Sequence, residues 1–314
     1  MRHSHSRKGC RLIDEATVSY PGARRPDRTR TVDSHGLSIA TYEWGAEGGP
    51  PLLLAHGGFD FAGTFDVFAP LLADAGWRVV AWDHRGCGDS AHAALYSWSA
   101  DVRDALAVLD TVADRPIPFI GHSKGGGLML QLAESCPHRI SKLVLIDGLP
   151  SPLAHPDIAD HERTRLLARE ISGWLDHRRR VAGNERKPDT LDGLAARRRR
   201  MNPRLSMEWL RYLVTVGGRH DADGWRWKID PAMRPGGFGP WRPSWALERL
   251  PGLATPMLGL MGTQPEPMGW GATPEMIEPY LPTGARVVPF ADTGHFIHIE
   301  QPERVAELTL EFLA

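Results

Sequence analysis

Ser123 lies in Gly121-His122-Ser123-Lys124-Gly125, a G-x-S-x-G pentapeptide of the kind that presents a nucleophilic hydroxyl. A serine hydroxyl is a poor nucleophile near neutral pH, so it needs a base within hydrogen-bond reach. The base in turn needs an acidic partner to fix its tautomer, and acyl transfer needs N–H donors aimed at the developing oxyanion. The residues around the pentapeptide suit such a site. Ile117-Pro118-Phe119-Ile120 reads as a short buried strand, and Gly126 to Ala133 as a helix with small residues in its first turn. A strand turning sharply into a helix brings backbones too close for β-carbons at the flanking positions, which is what the glycines accommodate.

The elements that must hold this serine follow an alternating pattern. Thr31 to Ala40 reads as a hairpin turning near Ser34 to Gly36. Pro51 to Ala55, Arg78 to Trp82 and Lys142 to Asp147 are near-continuous apolar runs, as expected of strands buried on both faces of a parallel sheet. Helical periodicity separates them at Phe65 to Ala75 and Ala100 to Val112. The alternation stops at Gly148-Leu149-Pro150-Ser151-Pro152 and resumes at Pro256 to Met261, Ala285 to Phe290 and a final amphipathic helix near Pro302 to Phe312. This predicts an α/β doubly wound sheet. Residues 31–150 and 251–314 form the core and residues 151–250 a helical cap without convincing buried strands.

Composition narrows the function classes. At 314 residues the chain is long enough for one large domain plus an insertion. A formal net charge of -1 gives no global steering toward nucleic acid or membrane, and no apolar run approaches a bilayer span. Cys10, Cys87 and Cys136 share no metal-ligand spacing and fit a reducing compartment. Residues 1–30 are basic without a following apolar stretch, so they read as a disordered extension rather than a secretory signal, and the expected location is cytoplasmic. The glycines at 121 to 127 match neither a phosphate loop nor a dinucleotide fingerprint, and no zinc ligand set is present.

Four segments in register resemble the α/β-hydrolase fold superfamily, over nearly everything after residue 31. They are His56-Gly57-Gly58-Phe59, Asp83 to Ser90 (D-x-R-G-x-G-x-S), the Ser123 elbow, and Gly294 to Glu303. The resemblance implies an α/β-hydrolase fold, a mostly parallel doubly wound sheet with an inserted helical cap. It implies Ser123 as nucleophile and His295 as base, with His298 the competitor, and gives His56 and His122 roles in loop structure. The oxyanion donors are then the backbone N–H of Lys124 and that of Gly58 or Phe59. The Lys124 side chain, unusual at its position, is expected to point away and find solvent or a carboxylate.

The acid departs from the family pattern. The position three residues after Gly262, where an aspartate is common, is Pro265. Glu266 beside it is placed first, Asp147 after the sixth strand competes closely, and Asp292 is third. Serine at 123 argues against the aspartate-based mechanism of the superfamily's dehalogenases and epoxide hydrolases.

The expected activity is cofactor-independent hydrolysis of an ester, lactone or related acyl compound, without metal. C–C hydrolysis, perhydrolysis or a lyase reaction on the same residues are alternatives, as is a receptor-like member with little turnover. The Arg178 to Arg180 and Arg197 to Arg200 runs read as solvated helical faces. Trp209, Trp225, Trp227, Trp241 and Trp245 predict an aromatic cap core and a small, largely apolar substrate.

Overall fold

The computed structural model describes residues 18–151, 163–234 and 243–314. Its centre is an eight-stranded sheet. The chain enters it through β1 (Arg28–Ser34), β2 (Leu37–Trp44), β3 (Pro51–Ala55), β4 (Arg78–Trp82), β5 (Ile117–His122) and β6 (Ile140–Ile146). α1 (Phe68–Asp74) joins β3 to β4, α2 (Trp98–Val112) joins β4 to β5, and α3 (Lys124–Ser135) joins β5 to β6. The cap then contributes α4 (Arg163–Val181), α5 (Leu191–Met201), α6 (Met207–Gly217), the hairpin β7 (Gly218–Asp221) and β8 (Gly224–Trp227), and α7 (Pro243–Arg249). The sheet is completed by β9 (Met257–Gly262), α8 (Pro274–Ile277) and β10 (Arg286–Phe290), followed by α9 (Ile297–Glu300) and α10 (Pro302–Leu313).

The strand order is β1-β2-β4-β3-β5-β6-β9-β10, antiparallel at β1, β2 and β4 and parallel from β4 through β3 to β10. The β1–β2 turn has positive φ at both His35 and Gly36, the two-residue geometry that matches strand twist. Alternation explains the apolar runs. In β3, Leu52 and Leu54 pack with α1 and α10, while Leu53 and Ala55 pack with α2 and α3. Both faces are covered, so the central strands β3 and β5 are buried along their whole length.

Two expectations change. The cap carries the β7–β8 hairpin as well as helices; its charged residues Arg219, Asp221 and Arg226 pair with one another, which hid the strand pattern. The first thirty residues also divide. Residues 1–17 lie outside the described residues, as do 152–162 and 235–242 with Trp241. From Val18 onward the segment is folded, its arginines finding carboxylates: Arg24 on Asp74, Arg25 on Asp66, and Arg28 and Arg30 on buried Glu43. The exposed Arg24–Asp74 pair contributes little; β1 pairing, the packing of Val18, Tyr20 and Ala23, and the arginines on buried Asp66 and Glu43 hold the segment.

The cap shares its core with the body. Trp209, fully buried, clusters with Leu210, Leu213 and Val214 of α6 but also with Phe61, Val67, Phe296 and Ile299 of the sheet domain. Among the described residues no helix is long and apolar enough to cross a membrane.

Candidate active site

Ser123 occupies the single residue between β5 and α3, with φ 52° and ψ -121°. This left-handed backbone is strained for a residue with a β-carbon and persists because its surroundings leave no alternative. A β-carbon on Gly121 would stand 2.4 Å from the Gly125 carbonyl oxygen, and one on Gly125 2.1 Å from that of Ala55. Only glycine fits either position. The N–H of Ser123 donates to the Ile146 carbonyl at 3.1 Å, tying the elbow to β6.

The His56 loop after β3 lies against the elbow. A β-carbon on Gly57 would be 3.3 Å from Cβ of Ser123, and one on Gly58 3.7 Å from Cβ of Lys124. The main-chain N–H of Lys124 is in the first turn of α3, where N–H groups have no partner within the helix. Phe59 next in the loop has φ 56°. The Lys124 side chain turns to buried Asp101 at 2.7 Å and lies over the Trp98 ring. Downstream, the Asp83 carboxylate accepts from the Ala62 N–H at 2.7 Å, so the D-x-R-G-x-G-x-S segment holds the far end of the same loop. His56 and His84 interlock: Nε2 of His56 accepts from the His84 N–H at 2.9 Å, and Nε2 of His84 donates to the His56 carbonyl at 3.0 Å. Burial pushes both rings' pKa down, His84 to about 3, so both are neutral.

His295, between β10 and α9, is held at three points. Its Nδ1 donates to Asp147 Oδ2 at 2.5 Å. Its main-chain N–H donates to Glu266 Oε2 at 2.8 Å, and its carbonyl accepts from Nε2 of His122 at 2.9 Å. The ring of His122, the residue before Ser123, also packs tilted against that of His295, with centroids 4.7 Å apart. Nε2 of His295 is buried without a hydrogen-bond partner among the described residues.

The two competing carboxylates are thus placed differently from the sequence expectation. Glu266 does not meet the ring: the loop carrying Pro265 and Pro267 aims it at the backbone of the histidine loop. Asp147 meets it, because β6 and β9 are neighbours and Asp147, with φ 42°, turns back across the end of β9. Its Oδ1 accepts from the Gly262 N–H at 3.1 Å, which fixes the carboxylate plane. Burial raises the Glu266 pKa. Asp292 offers only its carbonyl, to the Arg204 guanidinium. His298 is packed away among Phe65, Phe68 and Phe296, fully buried, with its pKa pushed down to about 3 by burial.

A cavity of about 260 Å³ adjoins the acid side of the histidine, lined by Asp147, Glu266, His295, Leu149, Met261 and Trp270 among others. Ser123 is not part of its lining.

Arg179, Arg180, Arg197, Arg199 and Arg200 of the cap's basic runs are exposed, as expected of a solvated face. Arg198 on α5 is instead largely buried, donating to the Phe59 carbonyl at 3.1 Å and to Asp60 Oδ2 at 2.9 Å. Arg204 donates to Glu300 Oε2 at 2.7 Å and to the Asp292 carbonyl, and Glu300 Oε1 accepts from the Gly294 N–H at 2.9 Å. Two cap arginines therefore reach the two loops flanking Ser123, a feature the sequence reading missed. Four arginines in a row carry no mark of which one is buried.

The model of the Alpha/beta hydrolase family matches residues 52–308. A serine hydrolase-like protein of Dictyostelium discoideum is 33% identical over 116 residues, 36% of this chain and 32% of that protein. An sn-1-specific diacylglycerol lipase of Xenopus laevis is 32% identical over 151 residues, 48% of this chain and 46% of the lipase. The matches span less than half the length of these two relatives. Among solved structures, a thioesterase domain from the curacin biosynthetic pathway superposes with a TM-score of 0.77 and 25% identity, over 90% of this chain and 99% of its own.

Proposed function

The chain belongs to the alpha/beta hydrolase family, and from that premise we propose that it is a cofactor-independent serine hydrolase cleaving an ester, lactone or related acyl compound through an acyl-enzyme. Ser123 is the nucleophile, His295 the base and Asp147 the acid. The oxyanion donors are the main-chain N–H of Lys124 and that of Gly58 or Phe59. The observation that carries the reading is the bond from His295 Nδ1 to Asp147. It commits Nδ1 to the carboxylate and leaves Nε2 as the basic nitrogen, buried and without a hydrogen-bond partner among the described residues.

The Ser123 Oγ attacks the substrate carbonyl while its proton passes to Nε2. The imidazolium, stabilised by Asp147, then protonates the departing alcohol. Water attacks the acyl-enzyme carbonyl, gives its proton to Nε2, and the acid leaves as Ser123 Oγ regains a proton. The oxyanion of each tetrahedral intermediate meets the two N–H donors, one of them at the positive end of α3. A receptor-like reading drew its force from the missing acid after β9, and Asp147 on the ring removes that ground. The lipase and thioesterase names among the similar proteins support acyl substrates without selecting one.

A fluorophosphonate probe tests the reading: the wild type should label stoichiometrically at Ser123 and hydrolyse short acyl esters. Ser123→Ala, folded, should do neither. An unlabelled wild type, or a Ser123→Ala variant that keeps most of its turnover, would overturn it.

A further inference from the structure

Arg198 is a cap side chain whose bonds reach the loop expected to supply the second oxyanion donor. Its side chain is 11% exposed. The guanidinium donates to the Phe59 carbonyl and to the fully buried Asp60, and its Cζ lies 5.8 Å from the ring centre of Phe296. Phe296 follows the base directly and packs on the His295 and His122 rings. One cap residue therefore touches the oxyanion loop on one side and the histidine loop on the other.

We propose that Arg198 is a positioning residue that aligns the oxyanion donor with Ser123 and makes that alignment depend on the cap. The argument starts from Phe59. Its φ of 56° is a conformation a phenylalanine adopts only under restraint. Fixing its carbonyl and the next carboxylate holds the peptide that follows its α-carbon, and the preceding peptide, which carries the Phe59 N–H, is set relative to it by the restrained dihedrals of Phe59. The far end of the loop is already tied by Asp83 to Ala62. The near end lies on the elbow through Gly57 and Gly58. Arg198 supplies the restraint between them. The flat guanidinium holds the carbonyl and the carboxylate in fixed relative directions, a geometry that the freely rotating ammonium of a lysine does not impose. A pair serving cap stability alone would need only the Asp60 contact; the bond to the Phe59 carbonyl has its consequence in the loop.

The inference rests on the hydrolase reading above, and its test separates the two. Arg198→Ala, Arg198→Lys and the control Arg211→Ala, whose exposed partner is Asp192, are compared with wild type. The measurements are kcat and KM on a short-chain p-nitrophenyl ester, melting temperature, and affinity for a trifluoromethyl ketone, which forms a tetrahedral oxyanion on the serine. For Arg198→Ala we expect a folded protein with kcat reduced about 100-fold, the cost of misplacing one donor by about an ångström. KM should stay within about threefold while ketone affinity falls in step with kcat. Arg198→Lys should recover part of the loss and Arg211→Ala should match wild type. Overturning results are a folded Arg198→Ala with kcat within threefold of wild type, or a loss confined to KM. Should Arg198→Ala not fold, Arg198→Lys with wild-type kcat and ketone affinity would overturn it as well. A wild type that neither turns over esters nor labels would bring down the hydrolase reading and this inference together. A labelled, active wild type matched by Arg198→Ala would bring down this inference alone.

Discussion

Asp147 Oδ2 stands 2.5 Å from Nδ1 of His295, joining the end of β6 to the loop after β10 across the intervening β9. Glu266 reaches the same residue but takes its main-chain N–H. The two carboxylates should therefore respond differently to amide substitution. Asp147→Asn presents an N–H where the ring also presents one, favouring the wrong tautomer, and should lower kcat by up to ~10⁴. Glu266→Gln keeps an oxygen able to accept the His295 N–H, so we expect a loss of only a few-fold. Steady-state kinetics on one ester decides it: a catastrophic Glu266→Gln with a mild Asp147→Asn reverses the assignment.

The difference between what was and was not legible in the sequence follows from locality. The Ser123 elbow is legible as a contiguous strand–turn–helix, even though Gly125 is demanded by the distant Ala55 carbonyl, and the parallel strands announce themselves as apolar runs. The acid depends on which strands are neighbours. Asp147 reaches His295 only because its N–H bonds the Leu260 carbonyl and sets β6 beside β9. Glu266 lies nearer the expected motif position, but its loop aims it at the backbone. Arg198 is hidden differently: charge type is visible in a run, but the face a helix buries depends on what it docks against, while Arg204 lies in the turn after α5 and meets Glu300 only through the tertiary fold. The segment from Val18 to Arg30 looked like a tail because its carboxylate partners lie up to 50 residues away in sequence.

Arg204 ties the base loop as Arg198 ties the oxyanion loop, through Glu300 and the Asp292 carbonyl. Asp147, Glu266 and His122 also hold His295, so its loss should be partly absorbed. We expect Arg204→Ala to lower kcat by about three- to tenfold with KM little changed, well short of the Asp147→Asn loss, since small displacements of a general base are costly. A kcat equal to wild type would mean that those other contacts suffice.

Trp209 is the anchor of the cluster shared by cap and body. Trp209→Ala should cost about 3–5 kcal/mol of stability, the usual range for emptying a buried aromatic site, read by denaturant unfolding. At temperatures where the variant is folded, labelling of Ser123 by a small phosphonate should stay within a few-fold of wild type. Loss of labelling in a demonstrably folded Trp209→Ala protein would show that cap packing, and not only Arg198, governs the nucleophile.

His298 should give the fold a readable acid sensitivity. It is fully buried, both ring nitrogens lack hydrogen-bond partners among the described residues, and its folded pKa is pushed down to about 3. The unfolded chain binds its proton below about 6.5, the folded one only near 3. Its contribution is therefore complete above 6.5 and falls as pH drops toward 3, by about 1.4 kcal/mol per pH unit. Asp60, Asp66 and Asp83, each raised to about 6 by burial, act oppositely: the folded state binds their protons first, so they add stability as pH falls from 6 toward 4. The net profile mixes both signs, and a single-site variant isolates one. His298→Phe suits its aromatic surroundings of Phe65, Phe68 and Phe296 and cannot titrate. Between pH 7 and pH 5 it should lose about 2 kcal/mol less stability than wild type, measured by urea unfolding at each pH. Parallel wild-type and variant profiles would show that His298 is not held neutral in the folded protein.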